Sequence, residues 1–411
     1  MARLAVSAAI RKAVLIGLPA LLAALIISMA LVEAWVRLQW DDQRGRPGFY
    51  LSDPVLGQRL SPGYDGWFAG VPVRVNRLGF RDDRDYAVEK APGVFRILVL
   101  GDSVTFGHGT SGDTTYPHLL EQRLRAWQPD VAWEVWNLGV PGYATSQELA
   151  YLRQVADEWR PDLVVVGFFQ NDLTGNEPEG APSVSRRARS AVQRVMQRHL
   201  YSYEFYKRAY LTLRWRLLTD ETGRERLEHL VNEEAQLGRQ DFAGERGSTA
   251  LTPVEIVDED EVARFRCESQ LMPDLRRAET LRARLAQPDV GIRAWTDAVR
   301  GFHDLAREST YPIVFFINMA PEACPEADRF FDGGTLAFDD LLQEILGAGA
   351  PVVSSARAFL RYRPSEMPGA SGHAVGNANQ VKAGVLFDYL VAHVLERGEI
   401  PDGRAGDERR P

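Results

Sequence analysis

The sequence predicts an α/β fold, a parallel sheet with helices on both sides, preceded by a transmembrane helix and interrupted by a helical insertion. Three observations carry this expectation. Short apolar runs end in turns rich in glycine, asparagine or aspartate, and stretches with helical spacing of leucines separate those runs. One run, Asp162 to Phe169 (DLVVVGFF), is apolar almost throughout, as a strand buried on both faces of a sheet must be. Strands alternating with helices of this length need crossover connections, which make the sheet parallel.

From the N-terminus, Ala13 to Val32 (AVLIGLPALLAALIISMALV) carries no charge. It is long enough to cross a bilayer, which takes roughly 20 residues for a ~30 Å hydrocarbon core. Arg3, Arg11 and Lys12 precede it, while Glu33 and Arg37 follow. The bias of basic residues toward the cytoplasm puts residues 1–12 inside, a single-pass anchor at 13–36, and the rest of the chain on the periplasmic or extracellular side. A cleaved signal peptide competes with this reading, but its apolar core is usually only ~7–15 residues. Residues 37–92 read as a charged linker, then an N-terminal extension of short strands and turns rich in Gly, Pro and Asp.

The main domain is expected over 93–397. Its strands are Phe95 to Leu100, Trp133 to Leu138, Asp162 to Phe169, Thr310 to Met319 and the short Pro351 to Val353. Helices fall at Thr115 to Trp127 and Ser146 to Trp159. Between about 177 and 301 the alternation stops in favour of helix-forming, highly charged sequence. It is first basic (Arg186, Arg187, Arg189, Arg194, Arg198), then acidic (Glu255, Asp258, Glu259, Asp260, Glu261). Aromatics such as Tyr201, Phe205, Tyr206 and Tyr210 thread the basic part. The plain reading is a solvated charged face with the aromatic face packed on the sheet; the alternatives are a cap near the active site or a basic surface meeting anionic lipid or glycan. The tail, 398–411, lacks apolar periodicity and is expected to be disordered.

At 45% hydrophobic and 25% charged, the 411-residue chain has enough apolar sequence for a sizeable core. A net charge of -8 argues against nucleic acid as a partner. The two cysteines, Cys267 and Cys324, rule out a disulfide scaffold and leave either two thiols or one bridge, which an extracytoplasmic location permits. No histidine pair at helical ligand spacing and no paired-cysteine motif suggests a metal, and no glycine-rich phosphate loop suggests a nucleotide, so no cofactor is expected.

Parallel α/β sheets hold their ligands at the carboxyl ends of the strands. That rule collects Gly101-Asp102-Ser103, Asn137-Leu138-Gly139-Val140-Pro141-Gly142 and Gln170-Asn171-Asp172 at one edge. A serine at a strand-to-helix turn is placed for nucleophilic attack. A glycine N–H and an asparagine amide in the neighbouring turns are the parts of an oxyanion hole.

With these three segments the chain resembles the SGNH, or GDSL-type, hydrolase superfamily over about Phe95 to Asp172 and, in part, around His373. The stretch Phe49 to Phe106 is also similar to bacterial members with an N-terminal anchor. The resemblance implies a three-layer α/β/α sandwich with a flavodoxin-like sheet. It also implies Ser103 as nucleophile and Ser103 N–H, Gly142 N–H and Asn171 as oxyanion donors. The family base lies near the C-terminus. His108, His118, His199, His229 and His303 lie elsewhere, and His393 sits in an apolar helix, which leaves His373 in Ser371-Gly372-His373-Ala374. One departure matters: the family's orienting aspartate would stand at Ala370. Either a Ser103–His373 dyad suffices, or a carboxylate such as Glu366 substitutes, or the site has degenerated. Loss of the acid in a related triad costs about 10⁴ in rate.

The expected activity is hydrolysis of an acyl ester, with a carbohydrate ester as one substrate class. Two alternatives use the same domain: an O-acetyltransferase acting on an envelope polysaccharide, as in several anchored members of the superfamily, or a non-catalytic binding domain.

Overall fold

In the computed structural model the described residues are 17–40, 47–176, 182–203, 205–207, 209–210, 213, 276–318, 336–359, 369–370 and 373–396. Helix α1 (Leu18–Leu38) is apolar and none of its residues is buried. At 1.5 Å per residue it reaches about 31 Å, the length a bilayer core requires. It runs two residues past the expected end, and an i,i+4 ion pair, Arg37 Nε to Glu33 Oε1 at 2.6 Å, spans its last turn. Cys267 and Cys324, whether two thiols or one bridge, the basic flank at Arg3, Arg11 and Lys12, and the tail fall outside the described residues.

The N-terminal extension is two antiparallel hairpins, β1 (Tyr50–Asp53) with β2 (Gly57–Leu60) and β3 (Asp65–Phe68) with β4 (Val71–Arg74). Their alternation turns Val71 and Val73 inward, and these join Phe49, Leu56, Leu60 and Phe80 in the core on one side of the main sheet. Phe49 stacks on Phe68 at 4.0 Å and meets Phe106 edge-on at 5.8 Å. The extension is therefore part of the domain wall.

The main sheet is built from β5 (Val94–Gly101), β6 (Ala132–Gly139), β7 (Leu163–Phe168), β8 (Ile313–Ile317) and β9 (Val352–Ser354), in the order β6-β5-β7-β8-β9. Every adjacent pair is parallel. One helical turn, α2 (Ser103–Phe106), leads from β5 toward α3 (Tyr116–Trp127). Then come α4 (Thr145–Trp159), α5 (Val184–His199), α6 (Val290–Glu308), α7 (Ala337–Leu346) and α8 (Asn377–Leu390).

The period of two divides the strand side chains between two cores. Leu98, Leu100, Val164, Val166 and Phe315 face Leu149, Leu152, Trp295, Phe302 and Leu342 of α4, α6 and α7. Ile97, Val99, Val165, Val314 and Phe316 face Leu120, Leu124, Leu386 and Leu390 of α3 and α8. This is the expected three-layer α/β/α sandwich. Its chain order reverses between β5 and β7, and ligands of such sheets bind at that reversal.

The 177–301 stretch departs from expectation in two ways. Helix α6 starts inside it, yet Ile292, Trp295, Val299 and Phe302 make it a full member of the sandwich. Its arginines and aspartates had hidden that apolar stripe. Nor do the described aromatics pack on the sheet, whose face α4 and α6 already cover. Phe205 and Tyr210 are exposed, and Tyr201 sits edge-on to Trp40 at 5.1 Å, beside the end of α1.

Candidate active site

Parallel register sets Gly101 directly beside Gly139 on β6 and Gly167 on β7. The three following turns therefore leave the sheet edge side by side. The hydrogen bond from Val140 N to Gly101 O (3.0 Å) extends that register past the last β6 residue.

After β5 the chain turns sharply. Asp102 caps α2, its Oδ1 accepting from Val104 N at 2.8 Å. Ser103 opens the helical turn and is nearly buried, 9% exposed, whereas Gly142 and Asn171 in the neighbouring turns are exposed. The turn lies hard against β6: a Cβ at Gly139 would stand 2.2 Å from Phe106 N and 2.7 Å from the Thr105 carbonyl carbon. Only glycine lets α2 sit there. On its other side, Arg81 of the N-terminal extension donates from Nη1 to the carbonyls of Phe106 (2.8 Å) and Gly107 (2.7 Å), closing the end of the turn. Its guanidinium also lies 4.6 Å from the Phe106 ring centroid.

Val140-Pro141-Gly142-Tyr143 forms a tight turn closed by Tyr143 N to Val140 O at 3.0 Å, with Gly142 at φ 84°. Proline followed by a positive-φ glycine is the pattern of a type II turn. The turn is braced from the extension, with Gln58 Nε2 donating to Pro141 O (2.9 Å) and Tyr143 OH donating to Gln58 O (2.6 Å).

The third turn, Gln170–Leu173, is a short 3₁₀ segment. Asn171 Nδ2 donates to Asp102 Oδ2 at 2.8 Å, and the Ser103 hydroxyl donates to the same oxygen across 3.4 Å. One carboxylate thus joins the serine turn to the asparagine turn and fixes the direction of the amide. An amide nitrogen carries two hydrogens, so Asn171 keeps one for another acceptor.

His373 lies in a two-residue-loop hairpin, β10 (Gly369–Ala370) against β11 (His373–Ala374), just ahead of α8. Ala370 is its direct cross-strand partner, so residues 370 and 373 share a face of the hairpin. The His373 ring and Glu366 fall outside the described residues. Three other described histidines are held elsewhere. His303 Nε2 meets Leu346 O at 2.8 Å, His108 packs edge-on to Phe68, and His393 lies against Tyr389.

Three buried titratable groups interact with Asp102; of these, sequence reasoning missed Glu148 and Lys382 and named Asp172 only as part of the asparagine turn. Glu148 and Asp172, both fully buried, have carboxyl pKa values pushed well up by desolvation first, with the Asp102 charge adding to it. Asp172 also feels Glu148, and its Oδ2 accepts from Phe169 N at 2.7 Å, which shapes the Asn171 turn. Lys382, 1% exposed, is brought down to about 8 by desolvation, against a smaller upward pull from Asp102. The available signal was a charged residue on an apolar helix stripe: Glu148 beside Leu149 and Leu152, and Lys382 in step with Ala378 and Leu386.

A cavity of about 700 Å³ lies between the extension and the 111–115 loop, lined by Arg74, Arg81, Asp82, Arg84 and His118 among others. Ser103 and Asn171 are not in its wall, so the sheet edge, not this cavity, is the candidate site. Among the described residues, no cluster of three or more His, Cys, Asp or Glu side chains is arranged to hold a metal ion.

The GDSL-like Lipase/Acylhydrolase family model matches residues 99–381. An arylesterase of Vibrio mimicus is 36% identical over 85 residues, 20% of this chain and 42% of that relative, so the chain spans under half the length of the curated relative it matches. Solved structures with some likeness include an α/β hydrolase from the metagenome of Lake Arreo (13% identity, TM-score 0.33, 74% of this chain and 97% of that one). A catalytic mutant of an acetylxylan esterase from Geobacillus stearothermophilus is also similar (11% identity, TM-score 0.36, 73% and 95%).

Proposed function

The chain belongs to the GDSL-like lipase/acylhydrolase family, and from that premise we propose that it is a membrane-anchored serine esterase acting outside the cytoplasm. Ser103 Oγ attacks the acyl carbonyl while His373 takes its proton. The tetrahedral oxyanion is held by the N–H groups of Ser103 and Gly142 and by the second amide hydrogen of Asn171. Collapse expels the alcohol, which regains a proton from His373, and water attacks the acyl-enzyme by the same route. No step uses a metal or organic cofactor.

The observation that carries this reading is the shared Asp102 oxygen, which binds Asn171 Nδ2 at 2.8 Å and faces the Ser103 hydroxyl at 3.4 Å. It couples nucleophile and oxyanion donor across two strands at the place where such sheets bind ligands. With alanine at 370, His373 is oriented by a backbone carbonyl or by another carboxylate, Glu366 being nearest in sequence. The full-length chain in detergent is expected to hydrolyse p-nitrophenyl acetate, and Ser103→Ala to lose more than ~10³ of that rate. Equal rates for the two proteins would overturn the assignment.

The α1 anchor favours one second reading, transfer of the acyl group to a cell-envelope polysaccharide. The acyl-enzyme is the same and a sugar hydroxyl replaces water. Product analysis with an oligosaccharide acceptor separates the two: acylated sugar supports transfer, and free acid alone supports hydrolysis.

A further inference from the structure

A surface helix of a globular protein ordinarily turns its apolar stripe inward and its charges outward. Helix α5 is mounted the other way round. Its protein-facing side is polar: the Ser52 hydroxyl lies 3.1 Å from both Ser190 Oγ and Gln193 Oε1, and Ser52 N donates to Gln197 Oε1 at 2.7 Å. Ser190 is its buried residue. The outward side carries Val184, Val192 and Val195 at 85%, 60% and 62% exposure. Exposed Ala188 and Ala191 complete one continuous stripe at helical spacing. At 3.6 residues per turn, Arg187 and Arg198 flank the stripe on one edge and Arg189 on the other.

The position of the helix says what it faces. Its C-terminal end is tied to the last turns of α1. Arg37 Nη2 donates to His199 O at 3.0 Å, and the Glu33 carboxylate accepts from Ser202 N (2.8 Å), Ser202 Oγ (2.6 Å) and Tyr201 N (3.1 Å). Arg37 also lies over the Tyr201 ring at 4.5 Å. Trp35 is exposed on the last turns of α1 and Trp40, just past its end, sits edge-on to Tyr201, so amphipathic rings gather where the apolar helix ends, as at a membrane–water boundary. Phe205, Tyr210 and Leu213, which follow α5 in the chain, are exposed as well.

We propose that the valine stripe of α5 lies in the headgroup–acyl boundary of the bilayer that α1 crosses, with Arg187, Arg189 and Arg198 on anionic lipid headgroups. This rests on α1 being a retained anchor. A lipid occupant fits better than a second copy, because two such stripes face to face would bring like-charged arginines together. An apolar face rimmed by arginines is the composition of an interfacial helix. Two attachments, one spanning and one lying flat, hold the sandwich in a fixed orientation and set the height of the Ser103 edge above the membrane.

The test uses the full-length chain in nanodiscs of phosphatidylcholine, with or without phosphatidylglycerol, carrying the photo-cross-linker p-benzoylphenylalanine at Val192. Val290, an exposed valine on α6, is the comparison site. The expected result is lipid adducts at Val192 well above those at Val290. They should rise several-fold with phosphatidylglycerol, and the rise should be lost in the combined variant Arg187→Glu, Arg189→Glu, Arg198→Glu. Adducts at Val192 no higher than at Val290, or cross-links to a second copy or to another stretch of the same chain, overturn the proposal. Alkaline extraction of native membranes keeps the two readings apart. Release of the wild-type chain overturns the anchor and this inference with it, whereas retention without lipid adducts overturns only the docking of α5.

Discussion

Replacing Lys382 by methionine should make the protein more stable at neutral pH, although it removes a charge close to the candidate site. The amine is 1% exposed, on the stripe of α8 that packs on the sheet. Burial lowers its pKa from 10.5 to about 8, with attraction to Asp102 recovering only part of the loss. At roughly 1.4 kcal/mol per pH unit, that fall is about 3 kcal/mol of stability forgone while the amine is charged. Methionine fills nearly the same length without the charge, so little cavity cost opposes the gain. The sign follows from proton counting. Between about 8 and 10.5 the unfolded chain binds the proton and the folded chain does not, so the wild type gains stability as pH rises through that window. Below about 8 the penalty is present in full. Urea unfolding of both proteins from pH 7 to pH 10.5 reads this directly. Lys382→Met should lead by about 3 kcal/mol at pH 7, by the same arithmetic, and the lead should shrink above about 8. A methionine variant less stable than wild type at pH 7, or a gap that does not change with pH, would refute the reasoning.

Two further substitutions probe the site. Gly139→Ala drives a Cβ to 2.2 Å from Phe106 N, so α2 and Ser103 must move. Overpacking of this kind costs about 1–3 kcal/mol, and a nucleophile displaced by about 1 Å loses roughly 10² in kcat. Gly93→Ala, at positive φ (78°) where Gly139 is not, but with open space around it, should strain the backbone without touching kcat; equal kcat losses in both would sink the steric argument. Ala370→Asp sets a carboxylate across the hairpin from His373. Since loss of the acid in a related triad costs about 10⁴, the variant should raise kcat, by up to about that factor. An unchanged rate would mean that another group already orients the ring.

The sheet was legible because nothing competes with an uninterrupted β-branched run: β7 reads as a strand from Leu163-Val164-Val165-Val166 alone. The serine and asparagine turns followed from where those runs stop. What binds the turns together was not legible, since Asp102 and Asn171 are 69 positions apart and meet only through the strand order β5-β7. Arg81 was equally hidden, its partners being backbone carbonyls that sequence does not mark. Glu148 and Lys382 each interrupt an apolar helix face, a pattern that reads as a weakened stripe and not as a buried charge. The composition of α5 pointed to a charged surface, but only its hydrogen bonds through Ser52 show which side faces the protein.

The central claim is that Ser103 is an activated nucleophile. Fluorophosphonate labelling of the full-length chain, followed by peptide mapping, measures it most directly. The expected result is a single adduct on the peptide containing Ser103, formed slowly in His373→Ala and absent in Ser103→Ala. A chain that stays unlabelled, or that is labelled at another residue, would contradict the account and leave the domain as a binding module.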